Sequence, residues 1–113
     1  MDECLFDKIV SGEIPSDRVY EDDTLVAFKD INPKAPVHVL IVPRKHLESV
    51  NEVGREDAAM LGHMFLVAKK IAEQTGIAGS GYRLVVNNGP DGGQEVPHLH
   101  MHVLGGRQMR ALG

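Results

Sequence analysis

The chain has 113 residues, 42% of them hydrophobic and 25% charged, and its net charge at pH 7 is −4. This length and composition predict a single domain over residues 1–113 with a modest core, and they argue against a disordered chain. The negative charge argues against nucleic acid as a partner, although local donors can still bind one small anion.

Neither a membrane span nor an export signal is predicted. No apolar run approaches the roughly 18 residues that a membrane-spanning helix needs. The chain begins with Asp2 and Glu3 rather than with the basic residues of a signal peptide. The single cysteine, Cys4, cannot form an internal disulfide, which fits a reducing compartment. We therefore expect a cytoplasmic protein without a membrane partner.

Local patterns predict two helices and five strands. Apolar spacing predicts a short helix that starts near Leu5 and ends before Gly12, and a long helix from about Arg55 to Thr75. Alternating or β-branched runs predict strands over 18–20, 24–28, 37–42, 82–86 and 98–104. Most of these strands are hairpin neighbours. We therefore predict an α+β fold, in which a five-stranded antiparallel sheet packs against one long and one short helix.

The long helix carries more apolar surface than one small sheet needs. Met60 and Val67 widen its predicted stripe, and Leu66 lies off it. One interpretation is a helix face shared with a second subunit. The other is a set of scattered exposed apolar residues, which are common on any protein surface. The stripe itself comprises Leu61, Met64, Phe65, Ala68, Ile71 and Ala72.

Three histidines alternate with apolar residues near the end of the chain. On a strand, His98, His100 and His102 would share one face at a spacing of roughly 6–7 Å, while the residues between them face the core. Imidazoles side by side repel one another when protonated, and each titrates near neutrality. Three alternating histidines are not expected on a merely solvent-exposed strand face. The three histidines therefore predict either a phosphoryl-handling site or a metal site.

The loop over residues 87–94 leads directly into this histidine row. Its glycines allow close backbone approach, and consecutive N–H groups in such a loop can hold an anion. A neutral imidazole can attack phosphorus, a protonated one can act as a donor, and a third can fix a tautomer. His38, on the predicted central strand, could take that orienting role. His-x-His on a strand can also bind zinc and leave one coordination position open for catalysis. Spacing alone favours neither the phosphoryl-handling site nor the metal site.

These residues resemble the histidine triad (HIT) superfamily, whose motif alternates three histidines with apolar residues. The motif spans His98 to Leu104, and segments that look like the Hint branch, the histidine triad nucleotide-binding proteins, extend over nearly the whole chain. They are residues 5–9, 13–15, 27–31, 35–40, 92–94 and 105–109. The resemblance implies the HIT fold, a homodimer whose two sheets join, a purine nucleotide as ligand and no cofactor.

The resemblance also implies an activity, purine nucleoside phosphoramidase, which cleaves the P–N bond of adenosine 5′-phosphoramidates. By the family pattern, His100 is the nucleophile that takes the nucleotidyl group, and His102 contacts the phosphate and the leaving group. His98 and His38 hold the network in register. The alternatives are a nucleotide-binding scaffold, a dinucleoside polyphosphate hydrolase of the same superfamily and a metal-dependent hydrolase.

The family pattern further assigns the substrate contacts. Asp30 meets the ribose hydroxyls, where the residues alone would favour a turn cap. The phosphate site is lined by Asn87, Gly93, Gln94 and Glu95. The base is enclosed by Leu5, Phe6, Ile9, Phe28, Ile31 and Leu40. At Glu95 some relatives carry serine, so we expect only its backbone N–H to face the phosphate. The tail lacks a tryptophan found in some relatives, which leaves the leaving-group preference open.

Some bacterial relatives bind structural zinc through Cys-x-x-Cys near the N-terminus and two histidines. Here Cys4 is present but Asp7 replaces the second cysteine, and the candidate histidines are His46 and His98. A tight zinc site favours more thiolate or imidazole than this set supplies. We therefore expect no metal, and we interpret His46, like His63, as a surface histidine.

Overall fold

The computed structural model describes residues 4–112. Asp2 and Glu3, on which the argument about the chain start relied, lie outside the described residues. The helices are α1 (Leu5–Val10) and α2 (Ala58–Gln74), and the strands are β1 (Arg18–Glu21), β2 (Leu25–Lys29), β3 (Val37–Pro43), β4 (Tyr82–Val85) and β5 (Met101–Gly105). Two short 3₁₀ turns, Val50–Glu52 and Arg55–Asp57, precede α2. In residues 4–112, no helix has the length and apolarity to cross a membrane.

The five strands form one sheet in the order β1-β2-β3-β5-β4, and every neighbouring pair is antiparallel. The predicted α+β architecture is therefore confirmed. Strand β3 lies at the centre because it pairs with both β2 and β5. Strand β4 lies at an edge, where its only partner in the described sheet is β5. This order brings His38 on β3 next to the strand that carries His102.

Alternating side chains give the sheet two apolar faces, each covered by one helix. On one face, Ile41, Met101 and Val103 pack against α2. On the other face, Leu40 and neighbouring side chains of β2 and β3 pack against α1. Leu40 is paired with His102, so His102 shares the α1 face. The sheet therefore separates a core formed with α2 from a second side that is free to build a site.

The prediction that Phe65 belongs to the apolar stripe of α2 is wrong. Phe65 is 57% exposed, whereas Met64, Val67, Ala68, Ile71 and Ala72 are buried. The buried line follows the i, i+3, i+4 and i+7 spacing from Met64, and Phe65 is rotated by about 100° from that residue. Leu66, predicted to lie off the stripe, is 65% exposed. Two adjacent large apolar side chains thus face outward from α2.

The predicted strand over 98–104 is also wrong at its start, because β5 begins at Met101. The last β3–β5 pair is Ile41 with Met101, and a continued ladder would place Leu99 opposite Pro43. Proline has no N–H to donate to such a ladder. The Leu99 N–H donates to the Leu47 carbonyl instead, at 2.7 Å. The chain therefore enters the sheet only after His100, and His98 does not share the strand face of His102.

Candidate active site

A cavity of about 520 Å³ opens on the α1 side of the sheet. This volume lies within the range of small-molecule sites in proteins. Its apolar wall includes all six residues predicted to enclose a base, namely Leu5, Phe6, Ile9, Phe28, Ile31 and Leu40. Its polar wall includes Asp30, His38, Asn87, Gly93, Glu95, His100 and His102. Apolar and hydrogen-bonding groups thus share one cavity, as an amphipathic ligand such as a nucleotide requires.

Two of the predicted site residues, Gln94 and His98, do not line the cavity. The Gln94 amide braces the loop instead, because its Nε2 donates to the carbonyls of Glu48 at 2.6 Å and Val96 at 2.9 Å. Its Oε1 accepts the Gly89 N–H at 2.9 Å. Gln94 therefore shapes the loop that follows Asn87.

Several cavity residues were not predicted as site residues, namely Ile14, Pro15, Ser16 and Val96. Their segments carry no periodic pattern, so only the fold brings them to the wall. The Lys34 backbone N–H is a second omission, since it donates to His38 Nδ1 at 3.0 Å. A backbone N–H donor cannot be predicted from the type of residue that carries it.

A chain of hydrogen bonds fixes the tautomers of His38 and His102. Because His38 Nδ1 accepts the Lys34 N–H, the proton of a neutral His38 ring is on Nε2. His38 Nε2 lies 2.9 Å from His102 Nδ1 and donates to it. The proton of His102 is therefore on its own Nε2. His102 lines the cavity, so it presents an N–H donor there.

His100 has the opposite tautomer. Its Nδ1 lies 2.6 Å from the His98 carbonyl oxygen, so Nδ1–H is the donor. The lone pair of the neutral ring is then on Nε2. The rings of His100 and His102 are adjacent, with centroids 4.9 Å apart, and both line the cavity. The site thus pairs one nucleophilic nitrogen with one N–H donor.

The histidines of the site favour the neutral form. Burial, together with the nearby His100 and His38, lowers the pKa of His102 from its ordinary value of 6.5 to about 4. Burial is also the main cause of the lowered pKa of His100, and it outweighs the opposing charges of Asp30 and Glu95. The pKa of His38 is lowered for the same reason. Neutral rings can lie side by side without the repulsion expected from a protonated row.

The two carboxylate oxygens of Asp30 have different surroundings, one in a turn and one at the cavity. Oδ1 accepts the Asn32 N–H at 2.8 Å, which closes the turn after β2. Oδ2 lies 3.5 Å from His38 Nε2. The turn-cap role and a ligand role are therefore compatible in one side chain. Asp30, His38 and His102 also have potential metal-ligand atoms within 4.8 Å of one another, but the His38–His102 hydrogen bond occupies the facing nitrogens of both rings.

A second polar cluster lies outside the cavity, and it involves His98. Its ring is fully buried and lies beside the ring of His46, with centroids 4.8 Å apart. His46 is exposed, as the sequence indicated, and it lies at the surface end of this cluster. His63 is half-buried, and its Nε2 donates to Asp22 Oδ2 at 2.6 Å. Phe6 separates the two sites, since its ring contacts those of both His98 and His100.

Comparisons with known proteins agree with this geometry. The HIT domain family matches residues 11–109. The chain is 55% identical over 108 residues to the purine nucleoside phosphoramidase of Escherichia coli (strain K12), and the alignment covers 96% of this chain and 91% of that protein. A HIT family hydrolase from Legionella pneumophila has a similar structure, with a TM-score of 0.93 and 50% identity over 96% of each chain. A histidine triad protein from Clostridium difficile aligns over 100% of both chains, with a TM-score of 0.94 and 44% identity. The chain therefore belongs to the HIT domain family.

Proposed function

We propose that this chain is a purine nucleoside phosphoramidase that hydrolyses the P–N bond of adenosine 5′-phosphoramidates through a nucleotidyl-His100 intermediate. The observation that carries the proposal is the bond from His100 Nδ1–H to the His98 carbonyl. It leaves the Nε2 lone pair on a ring that lines a cavity of nucleotide size. The 55% identity to a purine nucleoside phosphoramidase supports the same reaction.

In the first step, His100 Nε2 attacks phosphorus and forms a P–N bond to the ring. The bond from phosphorus to the leaving nitrogen breaks, and that nitrogen takes a proton from solvent and departs as an amine. The attacking ring gains positive charge in this step. Its Nδ1–H is already bonded to the His98 carbonyl, so the charge develops against an oriented oxygen.

His102 is the group that binds the phosphoryl oxygens in this proposal. Its Nε2–H donor is set by the bond from His38 and needs no proton from solvent. A neutral donor also remains available across a wide pH range, because the pKa of His102 is lowered to about 4. In the second step, water attacks phosphorus, the bond to His100 Nε2 breaks, and the water proton is released. The products are a nucleoside monophosphate and the free neutral ring.

The remaining cavity residues supply binding. Asp30 Oδ2 is available to accept hydrogen bonds from the ribose hydroxyls, because only Oδ1 holds the turn. Apolar side chains of α1 and the central strands would cover the base. Asn87 and the Gly93 backbone line the wall next to the histidines and would contact the phosphate. Glu95 lines the same wall, so its carboxylate must point away from a bound phosphate.

The experiment that tests the proposal is turnover of a fluorogenic adenosine 5′-phosphoramidate in EDTA, for the wild type and for His100→Ala. We expect turnover in the wild type and loss in the variant. Rapid quenching followed by intact-mass measurement should detect the nucleotidyl adduct in the wild type. His63→Ala is the matched control, because His63 lies outside the cavity and bonds to Asp22.

Other outcomes would favour other functions. Tight purine-nucleotide binding without turnover of any phosphoramidate would indicate a nucleotide-binding scaffold. A higher kcat/KM for dinucleoside polyphosphates than for phosphoramidates would indicate a hydrolase of P–O bonds. Turnover that is lost in EDTA and restored by zinc would indicate a metal-dependent hydrolase.

A homodimer is the second part of the proposal. Strand β4 lies at the sheet edge, where unpaired backbone groups can pair with another chain. Phe65 and Leu66 expose 57% and 65% of their surface on α2. A second copy would cover these groups through a two-fold interface. Light scattering should report a dimer for the wild type and a smaller species for Phe65→Glu, while Val50→Glu, also at an exposed apolar residue, should leave the mass unchanged.

A cytoplasmic location is likewise proposed, and the free Cys4 thiol supports it.

A further inference from the structure

A guanidinium group on β1 binds the end of α1. Arg18 Nη2 donates to the carbonyl of Ile9 at 2.6 Å and to the carbonyl of Val10 at 3.2 Å. These two residues form the end of α1, where carbonyl oxygens have no partner within the helix. A positive charge at this end also interacts favourably with the helix dipole. Arg18 therefore caps α1 from a different element of the fold.

A β-bulge in β1 directs Arg18 toward α1. Arg18 is paired with Phe28, whereas Tyr20 is paired with Ala27, so β1 contains one extra residue between these pairs. Phe28 packs on the α1 side of the sheet, and its partner Arg18 therefore lies on that side. Tyr20 packs against the core formed with α2. Without the extra residue, Arg18 and Tyr20 would lie on the same face, because alternate residues of a strand do.

A carboxylate fixes the orientation of this guanidinium. The bulge also places Glu21 on the α1 side, where it is paired with Val26. Glu21 Oε2 accepts a hydrogen bond from Arg18 Nη1 at 2.8 Å and another from Arg44 Nη2 at 3.2 Å. Arg44 is held in turn, because its Nε donates to the Asp22 carbonyl at 2.8 Å. A planar guanidinium held through one nitrogen presents its other N–H groups in a defined direction, which here is toward α1.

The α1 helix depends on contacts from outside itself. It has six residues, and a helix of this length is not stable on its own. A capping box at Cys4 holds its first turn. In a longer helix the Ile14 N–H would bond to the Val10 carbonyl, but here it donates to the Lys8 carbonyl at 3.1 Å. Arg18 supplies the donor to the Val10 carbonyl instead.

We propose that Arg18 is a positioning residue for the nucleotide base, because it holds the last turn of α1 in the wall of the cavity. Ile9 on that turn and Phe28 on β2 both line the cavity, whereas Arg18 does not line it and acts through α1. This inference rests on the proposed function, since it needs a nucleotide in the cavity. If the turn moves, the wall is in place for only part of the time, and the affinity for the base falls by that fraction. The chemical step at His100 should be affected much less.

Two ligands that differ only by the base test this role. The affinities of the full-length protein for AMP and for ribose 5-phosphate are measured by NMR titration, which also detects weak binding. Arg18→Met keeps an apolar stem but has no N–H donor, and we expect its AMP affinity to be about tenfold lower. Arg18→Lys should lose less, because one ammonium replaces only part of the guanidinium contacts. Ribose 5-phosphate affinity should not change in either variant, and kcat for a phosphoramidate should change little while KM rises.

Hydrogen exchange separates a local role of Arg18 from a general loss of stability. The amides of Ser11, Gly12 and Ile14 donate to carbonyls in the last turn of α1. We expect these amides to exchange faster in Arg18→Met, while amides in the middle of α2 exchange as in the wild type. Arg55→Met is the matched control, because it removes the same charge from an exposed position that does not line the cavity. It should bind both ligands as the wild type does.

Several outcomes would overturn the role of Arg18. They are an unchanged AMP affinity in Arg18→Met, an equal loss of affinity for AMP and ribose 5-phosphate, and faster exchange throughout both helices. Glu21→Gln is a milder test that keeps Arg18 and removes the carboxylate that orients it, so a smaller loss confined to AMP is expected. A protein that shows the expected effects on AMP but turns over no phosphoramidate would contradict the proposed reaction and support the role of Arg18. A wild type that binds no purine nucleotide would contradict both.

Discussion

The His98 carbonyl oxygen accepts a hydrogen bond from His100 Nδ1 at 2.6 Å, while the His98 ring points away from the cavity. Two residues of one motif thus have different roles, because both precede the first residue of β5, Met101, and no strand ladder sets their side chains on one face. The backbone of His98 accepts a hydrogen bond from the reactive ring, whereas its own ring donates to the Pro43 carbonyl and lies beside His46. This division decides what each histidine substitution should do.

Removing the His100 ring should abolish the reaction. Without Nε2 no phosphorus–nitrogen bond to the protein can form, so we expect kcat for a fluorogenic phosphoramidate to fall by about 10³-fold or more. AMP binding should remain measurable in His100→Ala, because Asp30 and the apolar wall are intact. Calorimetry and turnover on the same sample separate the two effects. A variant that keeps substantial turnover would show that another residue is the nucleophile.

Activity should persist below the pH at which an exposed histidine titrates. The pKa of His102 is lowered to about 4 and that of His100 is lowered below its ordinary value, so both rings become protonated at a lower pH than an exposed histidine does. We expect kcat/KM to stay level from pH 8 to below 6.5 and to decline only at lower pH. A pH profile with a midpoint at 6.5 would contradict this expectation. The substrate should be one whose leaving amine does not titrate in this range.

The half-buried His102 ring should also make the fold acid-sensitive. The unfolded chain protonates His102 near 6.5, whereas the folded state resists protonation until about pH 4. The unfolded state therefore binds more protons between these values, and the free energy of unfolding should fall as the pH drops through them. Urea denaturation at several pH values measures the slope. His102→Gln, which carries no titratable group, should show a shallower slope.

Gln94 should matter for the loop rather than for contact with a ligand. Its amide makes hydrogen bonds to Glu48, Gly89 and Val96. Gln94→Ala removes these exposed or partly buried hydrogen bonds, each of which contributes about 0.5–1.5 kcal/mol to stability. We expect a lower free energy of unfolding in urea and a raised KM. Gln94→Glu keeps one acceptor and should be intermediate; a KM effect without loss of stability would instead indicate direct contact with substrate.

Asp30 should act on the sugar. Asp30→Ala removes the oxygen that would accept from the ribose hydroxyls, so we expect KM for the ribonucleoside phosphoramidate to rise by about tenfold, as for the loss of a hydrogen bond to a charged group. A 2′,3′-dideoxy substrate should respond much less, because it has no hydroxyls to lose. Equal effects on both substrates would place the role of Asp30 in the turn that it closes with Asn32.

The elements could be predicted from the sequence because their patterns are local. Period-2 runs and helical spacing placed all five strands and both helices to within a few residues. The six residues expected around a base also line the cavity together, but this expectation came from the resemblance and not from spacing. Phe65 shows the limit of a periodic pattern, because several lines along one helix are apolar and only packing on the sheet decides which is buried.

The sequence by itself determined the order of elements and the presence of a histidine row. Only the tertiary structure decided the function of each ring. His38 and His102 are 64 positions apart and bond because β3 and β5 are neighbours. Cys4 reaches His98 across 94 positions because α1 covers the same side of the sheet. Tautomers depend on partners such as the Lys34 N–H and the His98 carbonyl. Such partners are backbone groups that every residue carries, so their role follows from position in the fold and not from residue type.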